Sequence, residues 1–415
     1  MNTERPEPFP LMGFARLFRM AMAGQDLVAL RTELIQRAAE HPDDANTLLD
    51  VSYLLQLTWQ REVALDVQAQ ALKMQQLYHL PAPSGHTGLR LLALMGPGDL
   101  MANTPIECLL EDSDVALDLL YLAPGTAGPA AIPDHDILLV AIGENDQNRG
   151  LLAHVDQQLR NWPRPVLNRA DRIQWLSREG VCDRLHDAPG IAMPITARVS
   201  RSTLEDIGAG AAPLTDALAD GVFPIIARPA GSHAGQGLEK LVEPAAIRAY
   251  LDGHPDEAFC LTRFVDYRGP DGLFRKYRIA MIDGRPFVCH VGIAAHWMIH
   301  YLNAGMAESA EKRAEEARIM ETFDQDFARR HAAAFHAIQQ RLGMDYLGVD
   351  CGETPDGRLL VFEADNCMIV HAMDPVDLYP YKQPQMRKVF DAFTAMLTDA
   401  CARGRHRIEP IARRA

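Results

Sequence analysis

Apolar and polar positions change rhythm three times along the chain. From about residue 12 to 80 the spacing is helical. Asp26 to Glu40 carries Leu27, Leu30, Leu34 and Ala38 on one face. Pro42-Asp43-Asp44 then breaks the run and starts the next helix. Pro81 to Gly88 is rich in Pro, Gly and Ser and predicts a linker. Short apolar runs then alternate with helical stretches. Leu89–Met95, Val115–Leu122, Asp136–Ile142 and Pro165–Leu167 predict strands, and Leu151–Arg160 predicts a helix. That alternation argues for a parallel sheet in a small α/β domain. Beyond about Gly190 the strands come in pairs, with two-residue turns expected at Asp283-Gly284 and Asp356-Gly357. One long helix is predicted over Ser309–Arg341, with Ile319, Phe323, Phe327, Phe335 and Ile338 as its buried stripe.

The last hairpin carries the sharpest chemistry. A two-residue loop at Asp356-Gly357 places Asp350 directly opposite Glu363, and the period of two puts Asp365 on the face of Glu363. Facing carboxylates about 5 Å apart repel, so three of them on a half-buried sheet call for a cation. Oxygen-only donors at this spacing suit magnesium. The plainer alternative is three acids on a solvated edge.

A second stretch complements it. Phe223–Ala227 predicts a strand, followed by Arg228 and the loop Gly231-Ser232-His233-Ala234-Gly235-Gln236-Gly237, with Leu238–Val242 as the returning strand. Gly231, Gly235 and Gly237 let backbone amides approach an anion, and Ser232 adds a hydroxyl. The spacing fits neither the Walker nor the dinucleotide pattern; a hairpin lid over phosphates or a plain turn are the two readings. On the next hairpin, Lys276 and Arg278 share one strand face and could grip phosphate oxygens, or be surface cations only. His290, His296 and His300 lack a third ligand at recognisable spacing, so structural or substrate-contacting roles outweigh a zinc site. Asn303 sits in a glycine turn and could be a turn former. Cys260, Cys289, Cys351 and Cys367 read as core residues.

Composition narrows the class. The chain has 415 residues, 48% hydrophobic and 23% charged, with net charge -14. That size suits two to four domains, and the charge disfavours a nucleic-acid surface. Seven scattered cysteines without Cys-x-x-Cys favour a reducing compartment. No signal peptide or membrane-length segment is evident, so the expectation is a cytoplasmic, soluble protein.

Ser52, Ala64 and Ala71, at spacings that let two antiparallel helices touch, resemble a tetratricopeptide repeat. One repeat and part of another must pack on the rest of the chain or on another subunit; a plain helical hairpin is the alternative. From about residue 86 to 405 the ordered parts resemble the ATP-grasp superfamily, closest to carboxylate–amine ligases of the RimK and glutathione or D-alanine–D-alanine ligase kind. The resemblance implies a mixed α+β and α/β architecture. A helical module would occupy 1–82, an α/β pre-domain 86–190, a lid subdomain 191–265 and a metal-binding subdomain 266–405.

It further implies that ATP lies under the glycine lid, with Leu261, Thr262, Arg263, Phe264 and Val265 as the hinge beside adenine. Lys276 and Arg228 would hold phosphates, and Arg278 would face the transferred phosphoryl group. Asp350, Glu363 and either Asp365 or Asn366 would hold magnesium. Asn303 matches an asparagine ahead of the acidic subdomain. Departures are Arg228 where the family has lysine, and Thr262-Arg263 where its hinge carries an acid. The implied reaction activates a carboxylate as an acyl phosphate and passes it to an amine. His371 and Asp374, by position, could line the acceptor pocket. A small-molecule kinase and a non-enzymatic nucleotide sensor are the competing readings. The helical module would serve as a handle for a peptide, a carrier or a second subunit.

Overall fold

The structure is a computed structural model that describes residues 9–122, 132–232 and 235–408. The chain divides into two compact units. One comprises residues up to 173 with 344–347 and the segment from 366 onward, and the other comprises 174–343 with 348–365.

The first unit opens with α1 (Phe14–Met22), α2 (Leu27–Glu40), α3 (Ala45–Leu57) and α4 (Arg61–Met74). Asp26 caps α2 by accepting from the Val28 and Ala29 amides, and Asp44 caps α3 through the Asn46 amide. Ser52, Ala64 and Ala71 are fully buried where α3 and α4 pack. Their small side chains allow that approach.

The helical expectation to residue 80 needs correcting. Gln75 turns extended, and Leu77–Leu80 forms strand β1, with Tyr78 buried and His79 exposed in the period of a strand. β1 pairs antiparallel with β3 (Val115–Tyr121). β3, β2 (Leu89–Met95), β4 (Ile137–Val140) and β5 (Val166–Leu167) are parallel, in the order β1-β3-β2-β4-β5. The four expected strands therefore form. Gly96-Pro97-Gly98 is held by side-chain amides: Asn103 bonds Gly96 in both directions, and Gln68 of α4 does the same for Gly98. The closing helix, Lys382–Ile408, belongs to this unit.

The second unit holds two sheets. In one, β7 (Thr196–Ser200), β10 (Ala258–Arg263), β8 (Ile225–Pro229) and β9 (Glu239–Leu241) are antiparallel neighbours in that order. Leu204, Ile207, Ile225, Ala227, Ile247, Phe259 and Leu261 make its core. The other runs β12 (Arg285–Ala294), β11 (Phe274–Ile282), β13 (Tyr346–Glu353), β14 (Leu359–Asp365) and β6 (Ile191–Ala192). The β11–β12 turn is the expected two-residue one, with positive φ at Asp283 (47°) and Gly284 (76°), the signature of a type I′ turn.

The β13–β14 turn is not. Glu353 pairs with Leu359, so the loop spans 354–358, and it is closed by Thr354 and Arg358 backbone bonds. Between Asp350 and Cys351 the register slips by one, making Phe362 the extra residue of a bulge. The longer loop and the bulge cancel, and Asp350 still faces Glu363.

The single long helix is also corrected. It is three pieces, Ala310–Thr322, Phe327–Arg330 and Ala332–Leu342. Phe323, Phe327, Phe335 and Ile338 are buried as expected, whereas Ile319 is half-buried and Glu316 and Met320 take the inner positions. The break at Asp326 leaves Phe327 stacked on Tyr277 of β11, ring centres 4.2 Å apart. All seven cysteines are buried free thiols. Among the described residues no helix is long and apolar enough to cross a membrane.

Candidate active site

The floor of the site is the Asp350–Glu363 pair on β13 and β14. Asp350 is 2% exposed. Arg278 forks onto it from the neighbouring β11, Nε to Oδ1 at 2.8 Å and Nη2 to Oδ2 at 2.9 Å, and the Lys276 ammonium reaches Oδ2 at 2.7 Å. Strand alternation brings Lys276 and Arg278 to that one acid, as their spacing predicts. Burial alone would raise the Asp350 carboxyl, but Arg278 and Lys276 outweigh it and hold the group far below the usual carboxylate range. Arg278 is pushed down by burial and raised by Asp350, which prevails.

Glu363 has a different partner. Arg178 donates to its Oε1 at 2.7 Å and to the Ser232 carbonyl at 3.2 Å. Burial raises the Glu363 carboxyl, and Arg178 and Arg228 bring it below its ordinary value. Arg178 was not among the expected residues. It occupies the first position of helix Arg178–Leu185, directly after the Ser177 cap, which accepts from the Gly180 amide. That helix-start signal was legible in Ser177; the contact with a residue 185 positions away was not.

Arg228 stands at the base of the glycine loop. Its Nε donates to Ser232 Oγ at 3.1 Å and its Nη2 to the Ser232 carbonyl. Burial first, and then the charge of Arg178, pull its guanidinium down to about 10. Gly231, Gly235 and Gly237 all have positive φ. A Cβ on Gly237 would lie 2.7 Å from the Pro229 ring, so the returning arm requires glycine. His233 and Ala234 lie outside the described residues.

The expected hinge is only partly a strand. β10 ends at Arg263, leaving Phe264 and Val265 beyond it. Leu261 is wholly inside the core, so its side chain cannot meet a ligand. Thr262 is half-buried, and Arg263 pairs with Asp220 at 3.4 Å. The Lys240 ammonium sits 3.6 Å from the Phe264 ring centre, and Trp297 meets that ring edge-on.

Asn303 follows β12 in a short 3-10 turn, Tyr301–Asn303, and its Oδ1 accepts from the His300 amide at 2.9 Å. Asp365 closes β14 opposite Gly348, in the second unit, whereas His371 and Asp374 belong to the first. The ring of His371 meets Phe18 edge-on at 5.1 Å, and its Nδ1 accepts from the Met373 amide. Asp374 pairs with the buried Lys382 at 3.2 Å. Asn366, a possible third metal ligand, also folds with that unit, where its amide donates to Thr104 and to the Ala141 and Ile142 carbonyls.

Asp350 and Glu363 are hard oxygen donors set face to face, and this donor chemistry fits a divalent cation of the magnesium type. The expected convergence of three acids is corrected: among the described residues no three His, Cys, Asp or Glu form a cluster of metal-holding geometry. Lys276, Arg278 and Arg178 supply the counter-charge instead.

No family model matches the chain, and no curated protein matches it. Among solved structures the likeness is to ATP-grasp proteins and amino-acid ligases. The RimK domain ATP-grasp protein from Sphaerobacter thermophilus is 20% identical, with TM-score 0.42, over 75% of this chain and 99% of that one. D-alanine–D-alanine ligase from Bacillus anthracis complexed with ATP is 13% identical, with TM-score 0.44, over 77% and 99%. The VanG D-Ala:D-Ser ligase from Enterococcus faecalis is 15% identical, with TM-score 0.43, over 74% and 99%. Likeness at this level identifies neither fold nor activity, and the functional reading rests on the residues themselves.

Proposed function

We propose that the second unit binds ATP as its magnesium complex and transfers the terminal phosphoryl group to a carboxylate, giving an acyl phosphate that an amine then captures. One observation carries this reading. Lys276, Arg278, Arg178 and Arg228 surround two opposed carboxylates beside a glycine loop, in a chain whose net charge is -14. Such an excess of half-buried cations calls for a polyanion.

Asp350 and Glu363, opposed across β13 and β14, are the oxygens that would hold magnesium. Bound there, the ion would neutralise charge on the phosphates. The acids would thereby be relieved of their present partners. Arg278 and Lys276 then turn to phosphoryl oxygens, Arg278 with a planar fork and Lys276 as a point charge. Arg228 and Arg178 hold the Ser232 end of the glycine loop over the anion and keep water from the acyl phosphate. Positioning and charge account for the chemistry, since phosphoryl transfer needs little covalent help from a protein. Amine attack on the acyl carbon forms the C–N bond and expels phosphate.

The test is calorimetric titration with magnesium AMP-PNP, a non-hydrolysable ATP analogue. Saturable binding is expected, abolished by EDTA and weakened at least about tenfold in Glu363→Gln. No heat of binding in the folded wild-type protein defeats the reading. The helical module would be a handle for a peptide, a carrier or a second subunit.

A further inference from the structure

α3 stops at a tryptophan where the geometry favours glycine. Trp59 has φ 63°, in the left-handed region. Its amide donates to the Gln56 carbonyl at 3.1 Å and the Gln60 amide to the Leu55 carbonyl at 2.9 Å, the two bonds of a Schellman stop. Those bonds fix the conformation, yet Trp59 is 91% exposed. Neither the backbone nor burial within the chain explains this residue. A large apolar ring held in a strained surface turn points to a contact outside the chain.

α4 extends the pattern. Positions 63, 67, 70 and 74 share one face at helical spacing, and Trp59 precedes them by a further step of four. Val63 is 54% exposed and Met74 44%, Val67 is half-buried, and Gln70 is the one polar member. The inward face of α4 is a different one: Ala64, Gln68 and Ala71 are buried there, and Gln68 bonds Gly98. Glu62, Asp66 and Lys73, all exposed, line a single flank of the apolar stripe. Among the described residues neither Glu62 nor Lys73 has an ion-pair partner.

We propose that this face of α4, anchored by Trp59, is a self-association surface on which a second copy of the chain docks with its α4 antiparallel. The charges select that occupant. A two-fold axis across antiparallel helices brings the same flank of each together and exchanges their ends. Trp59 then falls on the partner's Met74, the two Val67 side chains meet near the axis, and Glu62 faces the partner's Lys73, twice over. A parallel pair would instead set Glu62 against Glu62 and Lys73 against Lys73. Asp66, nearest the axis, meets its own copy, and that repulsion makes the dimer a reversible one. The proposal commits the helical module to the second subunit and owes nothing to the nucleotide reading, which either outcome leaves standing.

The test is sedimentation velocity of the full chain across the micromolar range, where a concentration-dependent dimer is expected. Trp59→Gly removes the anchor and gives the turn the residue it favours. That variant should melt no lower than the wild-type monomer and self-associate at least about tenfold more weakly. Glu62→Lys sets like charges together and should weaken the dimer at least about tenfold. Combining Glu62→Lys with Lys73→Glu should restore most of that loss, because the pair is re-formed with its signs exchanged. A wild-type chain that stays monomeric overturns the proposal and leaves the face to a different partner. A dimer untouched by Trp59→Gly, or a double reversal that restores nothing, overturns it as well.

Discussion

Asp350 and Glu363 face each other across two strands, yet they carry separate burdens. Asp350 is enclosed and doubly paired, so Asp350→Asn leaves two cations with one neutral acceptor. Breaking a buried pair in this way costs about 3–5 kcal/mol, and a matching fall in the denaturant midpoint is expected. The pairing also sets a pH window. Both carboxyls lie below their ordinary values in the folded chain. Their contribution is therefore present above the unfolded carboxylate range, near pH 4, and is lost as pH falls through the lower folded values. Arg178 bridges Glu363 to the Ser232 carbonyl, and Arg178→Ala should weaken magnesium AMP-PNP at least about tenfold, with Arg178→Lys intermediate. Equal affinities in calorimetry would reduce Arg178 to a structural role. The acids, Lys276, Arg278 and the glycine loop were readable because each sits in a local pattern of strand period or turn. Arg178 was not, because only the folded chain brings residues 178 and 363 together.

At the scale of elements, the acidic hairpin shows how a correct pairing can follow from an incorrect turn. The sequence suggests Asp356-Gly357 as a two-residue loop. The loop is instead five residues long, and the bulge at Phe362 restores the register. Pattern reading registers apolar alternation, but not a compensating extra residue. The break near Asp326 escaped for a similar reason: the helical spacing of Phe323 and Phe327 persists, and it is the stacking of Phe327 on Tyr277 that accompanies the interruption.

The start of α1 offers a pH-dependent element. Asp50 accepts from the Met12 and Gly13 amides and Glu107 from Ala15, and burial raises both carboxyls to about 7. Because these folded values are raised, their stabilisation is complete below about pH 4 and fades as pH rises through about 7. Thermal midpoints should accordingly be higher at pH 5.5 than at pH 8. The slope should flatten in Glu107→Gln, and an unchanged slope would contradict the assignment.

At the scale of the molecule, the helical module is built into the first unit. β1 follows α4 directly and pairs with β3, and Gln68 satisfies both polar groups of Gly98. Removing residues 1–75 would take the Tyr53 hydroxyl from its buried partner Tyr121 and leave the Gly98 amide and carbonyl without these bonds. Such a truncation should be insoluble or lose its cooperative unfolding transition, as circular dichroism would show; a well-folded fragment would make the module separable. The cations gathered around Asp350 and Glu363 have a kinetic consequence. On the proposed reading, an incoming nucleotide would meet the chain's net negative charge at distance, and arginines and a lysine on arrival. Added salt screens the first effect beyond about 8–10 Å. Moderate ionic strength should therefore speed association and also speed release, so that stopped-flow traces accelerate in both directions while the equilibrium constant moves far less than either rate.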